Sequence, residues 1–279
     1  MTFKNNDVLE FYKELPFNIY GEIDSALAQI KKYDPLEVYP ELKKIFKKNK
    51  NKKINIIDFG CGGGWLVNSI SYHHSKKVNI KGVDFNQRVI EYANKIKDKL
   101  NLNSKFVTSD LFSYEDKDQY DIIISLGVLH HTNNCLEAIR HICKFNNPKA
   151  HIFLGLYHKY GRLPFLEYFR NMKNKSEKFK FSEYKKLHNI KDEKKLYSWF
   201  RDQVLHPHET QHTFEEIYPV IESKGYKIVS TSINNFNKIT NKEEIIKLEK
   251  TLSAYSKDKI NKLEYFPGFF IIVGEKNEK

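Results

Sequence analysis

Between about residues 54 and 156 the apolar positions change period repeatedly, and each change marks an element. Short apolar, β-branched runs predict strands at Ile54-Asn-Ile-Ile-Asp58, Val78 to Val83, Phe106-Val107-Thr108, Tyr120 to Ser125 and His151 to Leu156. Helical patterns fall between them at 65–75, 87–100 and 134–145; in the second, Val89, Ile90, Tyr92, Ala93, Ile96 and Leu100 recur at helical spacing. The unbroken Ile122-Ile123-Ile124 run predicts a strand buried on both faces, as in a parallel sheet covered by helices. Strands that alternate with helices need right-handed crossovers, so the pattern predicts an α/β fold around a parallel sheet.

Downstream, Thr213-Phe-Glu-Glu216 is a capping box that opens a helix, and Gly225 can close it. A strand is predicted from Tyr226 to Ile233, and another at Phe269-Phe270-Ile271-Ile272-Val273 behind Pro267-Gly268. Residues 1–50 read as a helical segment that precedes the sheet and serves as a lid, and residues 51–279 as one domain. Within that domain, 160–212 is a long polar and aromatic insertion, read as a mostly helical cap on the substrate side; a helical stretch near 242–264 separates the last two strands. No internal repeat is found.

Composition excludes disorder, because 40% hydrophobic and 14% aromatic residues in 279 supply a sizeable core. The net charge of +12 raises the question of nucleic acid. Almost all of it is lysine, whereas base and phosphate recognition favours the rigid arginine fork, and the arginines are limited to Arg88, Arg140, Arg162, Arg170 and Arg201. Nucleic acid is therefore disfavoured as a partner, and the densest run, Lys43 to Lys53, reads as a solvated helix end. Cys61, Cys135 and Cys143 form no paired spacing, which argues against a disulfide framework or a zinc ribbon. The polar start lacks a signal peptide's apolar stretch, and no apolar run approaches the length of a membrane span. A reducing, cytoplasmic setting without a membrane partner is expected, and oligomeric state leaves no signal.

The chemistry begins at the first predicted strand end, Asp58-Phe-Gly60-Cys61-Gly62-Gly-Gly64. Glycines there let the chain turn sharply and let a ligand approach main-chain N–H groups at a helix N-terminus. A dinucleotide fingerprint starting at Gly60 needs a small residue at position 65, and Trp65 stands there; no Gly-Lys-Ser/Thr follows either. The loop suits a nucleoside ligand without pyrophosphate. Asp84, closing Gly82-Val83-Asp84 about twenty residues on, sits where an acid accepts from ribose hydroxyls, although it also suits a helix start. Phe85 is placed either against an adenine face or in the core. Asp110, in Ser109-Asp110-Leu111, is positioned to accept from an adenine amino group, with Leu111 as an apolar neighbour, or to cap a turn.

Together with Asp121-Ile-Ile-Ile-Ser-Leu-Gly127-Val-Leu-His130-His131, these segments resemble the class I S-adenosylmethionine-dependent methyltransferase superfamily, small-molecule type. The resemblance covers residues 54–156 well and the last three elements loosely. It implies a Rossmann-like seven-stranded, mostly parallel sheet with helices on both faces and an antiparallel last strand. It also implies S-adenosyl-L-methionine across the carboxyl ends of the first four strands. In that frame Asp58, Gly60, Cys61, Gly62 and Gly64 form the loop at the methionine moiety. Asp84 takes the ribose, Asp110 the adenine, and Phe85 and Leu111 flank it. Ser125, Leu126 and Gly127 pass beneath the sulfonium, His130-His131 begin the substrate face, and Tyr20 closes over the methionine end.

Substrate candidates come from the insertion. Tyr157, His158, Tyr160 and Arg162 follow the fifth strand at the ligand-binding edge of a parallel sheet. The stretch from Tyr197 to Thr213 crowds Trp199, Arg201, Gln203, His206, His208, Glu209 and His212 ahead of the capping box. The histidines there admit three readings: metal ligands, substrate contacts with a base near neutral pH, or helix caps and surface residues. Methyl transfer itself calls for no metal, and a base, if the acceptor needs one, is sought among His131, His158, His206, His208 and His212. The expectation is methyl transfer to a small polar molecule. The alternatives are an RNA methyltransferase, or a protein that binds the cofactor without catalysis.

Overall fold

The strand β1 (Ile54–Phe59) lies at the middle of the sheet because both its faces are apolar. Ile54 and Ile56 pack with one set of helices, and Ile57 and Phe59 with the other. The chain is described from a computed structural model, which covers residues 6–14, 17, 23–49 and 52–277. Seven strands form one sheet in the order β3-β2-β1-β4-β5-β7-β6. They are β1, β2 (Val78–Asp84), β3 (Lys105–Thr108), β4 (Tyr120–Leu126), β5 (Asn146–Tyr157), β6 (Tyr226–Thr231) and β7 (Phe269–Lys276). The pairs among β1 to β5 are parallel, and β7 runs antiparallel to both β5 and β6. The predicted fold class, with its reversed last strand, is the observed one.

Among the described residues, four helices precede the sheet: α1 (Asn6–Glu14), α2 (Ile23–Lys32), α3 (Pro35–Val38) and α4 (Pro40–Lys48). Crossovers follow as α5 (Trp65–His74), α6 (Gln87–Lys99) and α7 (Cys135–Ile142). Leu42, Ile45 and Phe46 of α4 and Leu66, Val67 and Ile70 of α5 bury one sheet face. Ala138, Ile139 and Ile142 of α7 cover the other, with Ile217 and Ile221 of α11 (Phe214–Ser223). The Thr213 half of the predicted capping box forms, its hydroxyl accepting from the Glu216 N–H at 3.0 Å, while the Glu216 carboxylate bonds His212 Nδ1. The sixth strand ends at Thr231, short of the predicted Ile233. The Thr231 hydroxyl accepts from the Ile233 N–H, and residues Ser232–Asn234 make a 3-10 turn. The third crossover helix likewise ends at Ile142 and continues as a 3-10 turn, Cys143–Phe145.

The insertion builds α8 (Lys159–Arg170), α9 (Glu177–Lys186) and α10 (Glu193–Phe200), then a π turn over Arg201–Leu205. It carries a small core of its own, in which Phe165, Phe169, Tyr184 and Phe200 meet Ile260 of α12 (Lys242–Asn261). Among the described residues no helix is long and apolar enough to cross a membrane. The strand order reverses direction between β1 and β4, and a crevice opens there at the carboxyl ends of the strands.

Candidate functional site

A cavity of about 550 Å³ occupies that crevice, within the size range of small-molecule sites. One half is framed by the loops after β1 to β4. The β1 loop adopts positive φ at Gly60, Gly62 and Gly64, but the three glycines do different work. A Cβ at Gly62 would meet nothing within 4 Å, so this is where backbone opens onto the cavity. A Cβ at Gly64 would strike Ala93 Cβ at 2.7 Å and the Phe106 ring, so Gly64 serves loop-to-helix packing and does not line the cavity. Cys61 turns behind the loop, its sulfur filling the space beside Gly82.

Asp84 is 8% exposed and lines the cavity; its Oδ2 accepts from the Gly62 N–H at 2.9 Å, and its Oδ1 from the Asn86 N–H at 3.0 Å. Burial pushes its carboxyl up to about 6 despite those bonds. Asp58 is buried behind the loop, where burial and the neighbouring Asp84 charge raise it to about 7. The β4 turn contributes Leu126 and Gly127, and at Gly127 (φ 78°) a Cβ would again meet open space. Ser125 stays inside the sheet, its hydroxyl donating to the Phe59 carbonyl. Phe85, Asp110 and Leu111 line the same half; Asp110 also caps its turn by accepting from the Phe112 N–H at 2.8 Å.

The other half is walled by Tyr12, Tyr157, Trp199, Tyr265 and Phe269, with His131, Asp202 and Gln203 as polar groups. His131 is the single predicted base that reaches the cavity wall. Its Nδ1 donates to the His208 carbonyl at 2.9 Å, so the neutral ring carries its lone pair on Nε2. Burial lowers its pKa, opposed by the charge of Asp202. Asp202 is 8% exposed, its Oδ1 accepting from the Tyr12 hydroxyl at 2.6 Å, and burial raises its carboxyl. The helix α1 is held over this half: Asn86 Nδ2 donates to the Tyr12 carbonyl and Arg88 to that of Lys13. Tyr20 lies outside the described residues.

The remaining candidates are brought together as a scaffold behind the wall. Arg162 is fully buried: it clasps Glu209 through two bonds of 2.9 and 2.7 Å and the Gln203 carbonyl at 2.6 Å, and lies over the Tyr157 ring. With both charges so engaged, neither Arg162 nor Glu209 faces the cavity. His158 pairs with Glu249 at 2.8 Å and accepts from the Gly161 N–H, capping α8. His212 bonds Glu216 and Thr210, and His208 donates to the Thr132 carbonyl. His206 stacks on His131 at 3.8 Å, and burial pushes it down to about 2. Tyr160 packs beside His158, and Arg201 reaches outward to Glu14 at 2.6 Å. Among the described residues, no group of three His, Cys, Asp or Glu side chains is arranged to hold a metal ion.

Sequence reasoning missed Tyr12, Tyr39, Asp202, Tyr265 and Phe269. Asp202 stood between two nominated residues, and the π turn explains the error. Its wider pitch turns Asp202 and Gln203 both to the cavity while Arg201 faces α1.

Comparison with known proteins agrees with this geometry. The methyltransferase-domain family model matches residues 50–203, more than half of the chain. A ubiquinone biosynthesis O-methyltransferase of Rickettsia bellii is 24% identical over 151 residues, which is 54% of this chain; the match spans 61% of that enzyme's length. Two solved structures share the fold. Magnesium protoporphyrin IX methyltransferase from Synechocystis PCC 6803, with bound SAM, superposes with a TM-score of 0.56 at 14% identity, covering 99% of both chains. PKMT2 from Rickettsia typhi, in complex with AdoHcy, gives 0.57 at 16% identity, covering 81% of this chain and 49% of that one. The chain thus belongs to the methyltransferase-domain family, within the class I S-adenosylmethionine-dependent methyltransferases.

Proposed function

We propose that this protein transfers a methyl group from S-adenosylmethionine to a small molecule. The observation that carries the reading is one continuous cavity. It joins Gly62, Asp84, Asp110 and Gly127 on one side to His131, Tyr157, Trp199 and Gln203 on the other. The residues present fit the cofactor. A buried acid suits two ribose hydroxyls, the open space at Gly62 and Gly127 admits a ligand against bare backbone, and Phe85 and Leu111 offer apolar faces to a base. The bound cofactor supplies a methyl group already activated by the sulfonium, so the protein's task is alignment for in-line displacement.

Residues 160–212 and α1 cover the acceptor half, excluding water as a competing nucleophile. Tyr157, Trp199 and Tyr265 give that half ring faces, so the acceptor has an apolar or ring-bearing body with few polar groups. His131, on the cavity wall with its Nδ1 committed to the His208 carbonyl, is the base for a proton on the acceptor, and Asp202 stabilises the imidazolium that results. The relatives named for ubiquinone biosynthesis and magnesium protoporphyrin support the small-molecule class and go no further, since their acceptors differ. Free Cys61, Cys135 and Cys143 suit a reducing cytoplasm.

Two measurements test the reading. Calorimetric titration should show S-adenosylmethionine binding at roughly micromolar Kd. Turnover of labelled cofactor with a small-molecule extract should then fall ~100- to 10,000-fold in His131→Ala, with cofactor affinity retained. Absence of cofactor binding overturns the function; unchanged turnover in the variant overturns the role of His131.

A further inference from the structure

The chain carries a formal charge of +12, yet the described residues that line the cavity include no lysine or arginine. They include three carboxylates, Asp84, Asp110 and Asp202. The first two belong to the nucleoside half and are engaged with main-chain N–H groups. Asp202 is the carboxylate that the described residues bring to the acceptor half. It lines the cavity together with the rings of Tyr12, Tyr157, Trp199 and Tyr265, and its Oδ1 accepts from the neutral Tyr12 hydroxyl. The nearest cation, Arg162, is matched by its own acid: Glu209 takes two of its N–H groups on the far side of the Tyr157 ring. A buried carboxylate that meets no lysine or arginine among the described residues of the cavity lining, beside a set of aromatic rings, is the complement of an organic cation.

We propose that the acceptor is an amine on an apolar or aromatic body, seated as the ammonium ion against Asp202 within this ring set. The inference rests on the methyltransferase reading of the cavity and names the substrate class of its acceptor half. The same arrangement rejects carboxylate and phosphate acceptors, because a second anion beside Asp202 would meet no lysine or arginine among the described residues of the wall.

The chemistry balances with groups already in place. The ammonium gives one proton to His131 Nε2, so the positive charge moves from ligand to imidazole while Asp202 remains its counter-ion. The freed nitrogen pair forms the new N–C bond as the S–C bond breaks, its electron pair passing to sulfur. The product leaves as a methylated ammonium, and the imidazolium returns its proton to solvent.

A matched fragment series tests the proposal on the full chain loaded with S-adenosylhomocysteine. Benzylamine, benzyl alcohol and benzoate share one body and differ in charge, and competition calorimetry or ligand-observed NMR ranks their affinities. The expected order is benzylamine, then benzyl alcohol, with benzoate not bound. Asp202→Asn, which keeps an oxygen for the Tyr12 hydroxyl, should weaken benzylamine by roughly 10- to 100-fold and leave benzyl alcohol within about threefold. Binding of benzoate as tight as benzylamine overturns the proposal, as does an unchanged benzylamine affinity in the variant or failure of all three fragments to bind. The wild-type ranking decides even if the variant does not fold. Titration with S-adenosylhomocysteine alone separates the two levels: if the product binds and the ranking fails, the methyltransferase reading stands and the amine assignment falls.

Discussion

Replacing Asp84 by alanine separates a ligand-binding acid from a structural cap, because the two roles predict opposite balances of affinity and stability. In the ligand-free fold the side chain accepts from Gly62 and Asn86, so truncation orphans two buried N–H groups at about 1–3 kcal/mol each. The same truncation removes an unfavourable buried charge: the rise from the ordinary 3.8 to about 6 corresponds to ~3 kcal/mol at neutral pH. These contributions offset one another, and the melting temperature should change little. Ligand binding has no such compensation. Loss of charge-assisted bonds to the ribose hydroxyls, at about 1.5–3 kcal/mol, weakens S-adenosylhomocysteine by roughly 10- to 150-fold. Asp84→Asn, which keeps one acceptor oxygen, should fall between wild type and alanine. Calorimetric titration alongside thermal melting reads both quantities. An alanine variant that binds within about threefold of wild type while melting far lower would refute the ribose role and leave Asp84 as a cap.

Three further outcomes follow from the same geometry. Glu249 bonds buried His158 and the Phe214 N–H, so Glu249→Ala should cost ~3–5 kcal/mol in chemical denaturation, and a loss below about 1 kcal/mol would contradict its role as a hub. Gly62→Ala should chiefly reduce cofactor affinity, whereas Gly64→Ala, whose Cβ meets Ala93 at 2.7 Å, should chiefly reduce the melting temperature; the reverse pattern would show that the wrong glycine has been placed at the ligand. Asp58 and Asp84 are raised by burial to about 7 and about 6, so their neutral forms favour the ligand-free fold at acid pH, an advantage lost as pH rises from 3.8 through those values. A cationic ligand favours the carboxylates, so affinity for S-adenosylmethionine should climb between pH values of roughly 5.5 and 7.5 with proton release on binding; a flat profile would contradict it.

Much of the cavity half framed by the loops after β1 to β4 was legible along the chain, because its signals are local. Trp65 opens α5 where a dinucleotide loop keeps a small residue, Asp84 closes β2, and Asp110 caps the turn that follows β3. The acceptor half was misread because its residues come from distant segments. Arg162, His158 and His212 carry polar groups at the ligand-binding edge, but tertiary partners more than thirty residues away absorb the first two: Glu209 and Glu249. No periodicity marks a histidine as satisfied. Tyr12 lies 190 positions from the carboxylate it bonds, a pairing no window of sequence contains.

The sequence by itself determined the strands and crossovers of the parallel part of the sheet and the glycine-rich loop at its first strand end, while the reversed last strand followed from the family resemblance. Period, β-branching, turn glycines and caps act over a few residues and agree with one another. Only the tertiary structure decided which of five histidines faces the cavity, that Arg162 is a clasp, and that Asp202 lines the cavity beside a set of aromatic rings. Those properties depend on burial and on charge partners brought from far along the chain, and both come into being when the insertion and α1 close on the sheet.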